Sequence, residues 1–302
     1  MAQSVLSRYL DPEVLGQVAD RHITPQGLVI GNLAGAHKSP LSGFAVEFAG
    51  HREYVPGDDP KHVDWRVYFT RDKYFVKQYE LETNFVCHLL LDVSASMRYG
   101  QGREQKMLCG AQIATTLGYS VVRQSDKASL TTFDEKIRGF IPPSNSLGQI
   151  VRMTQHLDEL QPVQKTQVAD CLNEIAGRIG RREILFVISD FFGSLDGLEN
   201  ALQRLRYQKH EVVMFQVLHH DELTFEFDGT VKFKGLEVAE ELLVQPEDLR
   251  RGYLQALERF NTELDEIAQR NRCELVRIDT RRDLSESLID YLNQRTRVRS
   301  RH

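Results

Sequence analysis

The run Ile184-Leu-Phe-Val-Ile-Ser-Asp190 constrains the fold more than any other segment of this chain. Its apolar stretch is too short for a buried helix and lacks the polar alternation of a half-exposed strand. It reads as a strand covered on both faces, and such strands belong to parallel sheets packed between helices. Residues 85–92, broken only by His88, read as a second strand of the same kind.

The neighbouring text supports that frame. Residues 104–124 place Met107, Ala111, Ala114, Gly118 and Val121 on one helical stripe. Gly110 and Gly118 weaken such a helix but permit its close approach to a sheet. Residues 128–133 and 137–141 read as two strands joined by the turn Asp134-Glu135-Lys136, with Pro142-Pro143 stopping the second. Helices are expected over residues 147–157, 168–179, 195–207, 247–271 and 283–292, and strands over 212–218 and 275–278. This alternation predicts an α/β fold, a mostly parallel sheet with helices on both faces and one antiparallel edge strand. Residues 219–245 depart from it. Phe225, Phe227, Val231 and Phe233 alternate around Asp228-Gly229 and read as an inserted β-hairpin. Residues 1–83 are turn-rich and short for an independent core. They are expected to form an irregular β-rich module, docked through an apolar seam of Trp65, Tyr68, Phe69, Tyr74 and Phe75 on a domain spanning 84–302.

Composition narrows the function. The 302 residues carry 38 Lys+Arg against 43 Asp+Glu, a net charge of -5, which argues against a dedicated nucleic-acid binder. No apolar run approaches the roughly 20 residues of a membrane span, and residues 1–13 lack the pattern of a signal peptide. The expectation is a cytoplasmic protein without a membrane span. Cys87, Cys109, Cys171 and Cys273 form no CxxC pair and read as small buried hydrophobes. A Walker motif and a nucleophile elbow are both absent from the sequence. Gly100-Gln-Gly102 lacks the third glycine of a dinucleotide loop and reads as a flexible linker.

Chemistry concentrates in Asp92-Val-Ser94-Ala-Ser96, at the carboxyl end of a buried strand, where open α/β sheets bind ligands. A carboxylate and two hydroxyls at alternate positions converge only where the backbone turns around something. A hard divalent cation accepts such oxygens. The competing reading is a strand-end turn in which Asp and Ser cap the next helix. Thr166, in a loop between helices, and Asp190, ending the other buried strand, reach the same edge if the two strands are neighbours. The candidate set is then Asp92, Ser94, Ser96, Thr166 and Asp190.

This order of residues resembles the metal-ion-dependent adhesion site (MIDAS) of von Willebrand factor A domains. Gly43-Phe-Ala-Val-Glu47-Phe, Arg52-Glu-Tyr54-Val-Pro56-Gly57-Asp58-Asp59 and Val63-Asp64-Trp65 resemble the signature of a bacterial family, domain-of-unknown-function family 58, in its short soluble branch. The two resemblances cover most of the chain. They imply a Rossmann-like von Willebrand factor A-like fold and a Mg²⁺ or Mn²⁺ ion. Ser94 and Ser96 would coordinate directly, Thr166 in the ligand-bound form, and Asp92 and Asp190 directly or through water. One position would stay open for a partner's acidic side chain. They imply a non-enzymatic adaptor or co-chaperone for a MoxR-type AAA+ ATPase, with a client protein as a further partner. Phe191 follows Asp190 where the family commonly has glycine.

The alternative is a metal-dependent, phosphoesterase-like hydrolase using Asp92. A phosphatase of the haloacid dehalogenase type needs an acidic proton donor two residues on, and Ser94 stands there. Asp58, Asp59, His62 and Asp64 could gather a second ion, but the Pro56-Gly57-Asp58-Asp59 stretch reads first as a turn, with Arg52 pairing one of its aspartates. His219 and His220 point to opposite faces if they continue a strand, which excludes a shared ligand role. The basic tail, residues 295–302, is expected to be solvated and frayed.

Overall fold

The computed structural model describes residues 5–18, 21–23, 25, 34–38, 47–56, 58, 60, 63–71, 73–80, 82–83, 85–160, 167–180, 182–227, 229–234 and 241–299. The chain divides into two compact units, residues 1–24 with 86–302, and residues 25–85. The first 24 residues, grouped with the N-terminal module in the sequence reading, therefore belong to the α/β unit. They include α1 (Val5–Tyr9) and α2 (Pro12–Val18), which bury Tyr9, Val14 and Val18.

The unit of residues 25–85 holds β1 (Ala34–Lys38), β2 (Glu47–Glu53), α3 (Trp65–Arg71), β3 (Phe75–Glu80) and β4 (Glu82–Thr83). β1 pairs antiparallel with β4, and β2 with β3. Tyr68 and Tyr74 stack at 4.6 Å, with the Trp65 ring edge-on to both. Trp65, Phe69 and Tyr74 are exposed. Arg52 pairs with Asp58 at 2.8 Å, and Asp58 also accepts from the Val55 amide. Asp64 is held by His51 at 2.9 Å. Both aspartates are thus committed to local partners. Asp59 and His62 of the proposed second ion set, with residues 43–46 and Gly57 of the family signature, lie outside the described residues.

The larger unit continues with β5 (Val86–Asp92), α4 (Lys106–Arg123), β6 (Lys127–Phe133), β7 (Ile137–Ser144), α5 (Gly148–Glu159), α6 (Val168–Ala176), β8 (Ile184–Ser189), α7 (Leu195–Tyr207), β9 (Glu211–Leu218), α8 (His220–Thr224), β10 (Val231–Lys234), β11 (Glu241–Val244), α9 (Pro246–Asn271), β12 (Glu274–Asp279) and α10 (Leu284–Arg299). Its six-stranded sheet runs β12-β9-β8-β5-β6-β7. Every pairing is parallel except β6 with β7. This is the mostly parallel sheet, with helices on both faces, expected of a von Willebrand factor A-like domain. Alternation along the strands divides the core. Leu90, Leu185, Val187 and Met214 face α6, α7 and α9. Leu89, Leu91 and Ile188 face α4, whose glycines let it settle close. A Cβ at Gly110 would lie 3.0 Å from Leu91 Cδ1, and one at Gly118 3.0 Å from Leu89 Cδ1. His88, the polar interruption in β5, is satisfied by Ser129 Oγ at 2.7 Å and Glu183 Oε2 at 3.0 Å.

Three expectations are corrected. β7 continues through Pro142-Pro143 to Ser144, because it is the edge strand and the prolines fall in a register shift between the pairs Leu130–Ile141 and Ala128–Ser144, where Gln149 Nε2 donates to Ala128 O at 2.9 Å. The hairpin pairs Val231 with Val244 through Lys234 with Glu241, so Phe225 and Phe227 stand outside it and it is not folded around 228–229. A capping box intervenes. The His219 ring accepts from the Asp221 amide and Glu222 accepts from the His219 amide, which starts α8 instead of a strand. Phe225 then stacks on Tyr253 at 4.5 Å. Finally, α10 carries the basic tail to Arg299, and Arg295 is buried.

The four cysteines are free, with Cys87, Cys109 and Cys171 buried. Burial pushes the thiols of Cys109, Cys171 and Cys273 up to about 12, which suits inert packing residues. Among the described residues no helix is long and apolar enough to cross a membrane.

Candidate functional site

β5 lies between β6, which follows it through α4, and β8, reached by crossing back through α5 and α6. The strand order therefore reverses beside β5. A crevice opens outside the carboxyl ends of strands at such a point. Leu91 pairs with Ile188, so Asp92 at the end of β5 comes beside Ser189 at the end of β8.

Asp92 is completely buried. Its Oδ2 accepts from Ser189 Oγ at 2.6 Å and its Oδ1 from the Ser94 amide at 2.9 Å. The second bond turns the chain back over the strand end and brings Ser94 Oγ to 3.1 Å from Ser96 Oγ. Burial, reinforced by the negative charge of Asp190, pushes the Asp92 carboxyl up to about 6, against the pull of its bonds to Ser189 and Ser94. Neither serine serves as a helix cap. No side-chain cap bond exists at the 3-10 turn Ser96–Arg98 or at the start of α4.

Asp190 is also fully buried. Its Oδ1 accepts from the Phe192 amide at 3.1 Å. Its Oδ2 accepts from Lys106 Nζ at 2.8 Å. Phe191, where the resemblance leads one to expect glycine, adopts φ +59. That left-handed geometry is strained for a bulky residue. The Phe191 amide bond to Ser189 Oγ at 2.9 Å and the burial of its ring in the core between α6 and α7 hold it there. Asp92, Ser94 and Ser96 thus form one bonded group. Asp190 meets it through charge rather than through a hydrogen bond, and Thr166 lies outside the described residues.

Lys106 and Glu222 were not singled out in the sequence reading. Lys106 opens α4 with no exposed surface and donates to Asp190 and to Glu222 Oε1, both at 2.8 Å. Burial pulls its pKa down, but the two carboxylates together outweigh this, and the net shift is upward. The available signal was its position, since a lysine at a helix N-terminus opposes the helix dipole. Gly100 belongs to the same rim. It has φ +92, and a Cβ there would lie 2.7 Å from the His219 ring. It serves close approach rather than a flexible linker. His219 and His220 part company through the capping turn of α8, not through the strand alternation expected of them. His219 packs edge-on to Tyr99 at 4.9 Å, and His220 bonds Asp279 at 3.0 Å.

The donor set suits a hard divalent ion. Adjacent oxygen ligands of an octahedral Mg²⁺, each about 2.1 Å from the metal, lie about 3.0 Å apart. The two serine hydroxyls are 3.1 Å apart. The Asp92 carboxylate, whose proton affinity is raised by burial and by the charge of Asp190, gains from a cation beside it. Among the described residues no three His, Cys, Asp or Glu side chains gather into a metal cluster, so the set depends on its hydroxyls.

A family model described as "Protein of unknown function DUF58" matches residues 50–263. An uncharacterized protein of Mycobacterium bovis is 20% identical over 292 residues, covering 95% of this chain and 91% of its own length, and one of Mycobacterium tuberculosis matches equally. Among solved structures, an aerotolerance-related membrane protein from Bacteroides fragilis is 17% identical with a TM-score of 0.47, covering 70% of this chain and 98% of that one. The conserved hypothetical protein BatB from Bacteroides thetaiotaomicron is 15% identical with a TM-score of 0.45, covering 72% and 100%. The SpRpn10 VWA domain is 13% identical with a TM-score of 0.39, covering 68% and 94%.

Proposed function

The chain belongs to the DUF58 family, and from that premise we propose that it is a non-enzymatic, metal-dependent protein-interaction protein, an adaptor or co-chaperone for a MoxR-type AAA+ ATPase. The observation that carries this reading is the Ser94–Ser96 hydroxyl pair at 3.1 Å beside the buried Asp92. Asp92, Ser94 and Ser96 would hold Mg²⁺ or Mn²⁺, with Thr166 and Asp190 completing the set. Bound there, the ion supplies a Lewis-acidic position for a carboxylate of the ATPase or its client.

The chain's own residues prepare that position. Ser189 and the Ser94 amide fix the Asp92 carboxylate. After the φ +59 turn at Phe191, the Phe192 amide donates to Asp190 Oδ1 and fixes that carboxylate as well. A phosphoester nucleophile is poorly served by the same geometry. Both oxygens of the buried Asp92 carboxylate are already engaged, and the residue two positions on is a serine whose hydroxyl is a weak proton donor.

The test is capture of the ATPase on the tagged chain in Mg²⁺. Capture is expected to be lost with chelator and with Asp92→Ala. Capture unchanged by both removes the ion from the function. Metal-dependent phosphoester turnover abolished by Asp92→Ala would replace the adaptor with the hydrolase.

A further inference from the structure

Lys106 has no exposed surface. Its ammonium touches two carboxylates and lies 5.3 Å from the centroid of the Phe192 ring. Burying an ammonium is costly, and a well-packed apolar side chain of similar volume would fill the space without that cost. The charge therefore calls for an electrostatic explanation. It stands at the rim where Asp92, Asp190 and Glu222 collect, and it takes one oxygen of Asp190 directly.

We infer that Lys106 is the resident counter-cation of this rim and holds its divalent-ion affinity down, by competing for the Asp190 carboxylate. The inference rests on the reading that Asp92, Ser94 and Ser96 hold such an ion. Glu222 is the second half of the device. Its Oε1 takes part of the Lys106 charge, and its Oε2 is fixed by the His219 amide at 2.8 Å. α8, which begins at the end of β9, thereby sets how much of the ammonium is left for Asp190. Anything that shifts α8 would retune the ion site without touching its ligands.

Two substitutions move affinity in opposite directions. Lys106→Met frees Asp190 and tightens ion binding at least tenfold. Glu222→Gln leaves Asp190 as the only carboxylate on the ammonium and weakens binding several-fold. A purely structural role for the pair would weaken binding in both. The experiment is Mn²⁺ titration of the purified full chain, read by loss of the free-ion electron paramagnetic resonance signal. Circular dichroism confirms folding, and Asp92→Asn serves as the variant that loses the site. If Lys106→Met fails to fold, Lys106→Met/Glu222→Gln removes both charges and still frees Asp190. The same tightening is expected of it. Glu222→Gln alone decides the matter if neither lysine variant folds. Unchanged or weaker binding in the lysine variants, or unchanged or tighter binding in Glu222→Gln, overturns the inference while Asp92-dependent binding by the natural chain upholds the ion site. Absence of Asp92-dependent binding in every protein, the natural chain included, overturns both.

Discussion

Replacing Arg295 by methionine separates two views of the C-terminal region by magnitude. In a frayed basic tail, a surface substitution changes stability by no more than about 0.5 kcal/mol. In the structure, Arg295 keeps 2% of its side chain exposed and pairs with Glu211 at the start of β9 and with Glu274, at 3.1 Å, at the start of β12. Its Nη1 also donates to Tyr291 Oη at 3.2 Å. One guanidinium thus ties α10 to two neighbouring strands. Removing one member of a buried ion network destabilises by about 3–5 kcal/mol, because the remaining charges are left uncompensated. Glu211 and Glu274 retain 20% and 30% side-chain exposure, which places the expected loss near the lower end, about 3 kcal/mol.

The loss carries a pH signature. Burial, with the charge of Glu211, raises the Glu274 carboxyl above its usual range, and Arg295 pulls it back. Without the arginine it rises further, so the folded chain binds protons that the unfolded chain releases. Stability then falls as pH rises from the ordinary carboxylate value through the raised one. The penalty of Arg295→Met shrinks from pH 7 to pH 5, and adding Glu211→Gln and Glu274→Gln recovers most of it. Urea denaturation of the full chain at both pH values, followed by circular dichroism, measures each quantity. A loss below about 0.5 kcal/mol at pH 7 restores the frayed tail. A larger loss that is the same at both pH values shows that packing, not charge, is what Arg295 supplies.

The remaining predictions concern packing and protonation. Gly118→Val forces a branched side chain against Leu89 and Met153, where even a Cβ lies at 3.0 and 3.4 Å, and costs about 2 kcal/mol in thermal or urea melts. Gly252→Ala in α9, with nothing within 4 Å of the new Cβ, stabilises by about 0.5–1 kcal/mol in the same assay. His210 is held below its ordinary pKa by burial and by His88, with Glu183 opposing, and its Nδ1 accepts from the Glu183 amide at 3.2 Å. The unfolded chain therefore binds the proton first. The stability this gives is complete above about pH 6.5 and is lost as pH falls from there toward the lowered folded value. His210→Asn keeps an acceptor, cannot titrate, and flattens that part of the stability curve; an unchanged slope refutes the assignment.

Hydrophobic periodicity alone was enough for the α/β class, the two central buried strands and the close seat of α4. Those features depend on neighbours a few residues away, and Gly110, Gly118 and the 184–188 run state them directly. Asp92, Ser94 and Ser96 were legible for the same reason, since a strand followed by a turn brings alternate side chains to one place. The fate of the prolines in β7 was not, because it depends on β7 having no outer neighbour. Nor were the partners of Lys106. Asp190 is 84 residues from it and Glu222 116, and both meet it only because β8 lies beside β5 and β9 beside β8. A lysine's sequence neighbours report how its backbone folds. Which charges surround its ammonium is set by strand order, and only the assembled sheet fixes that order.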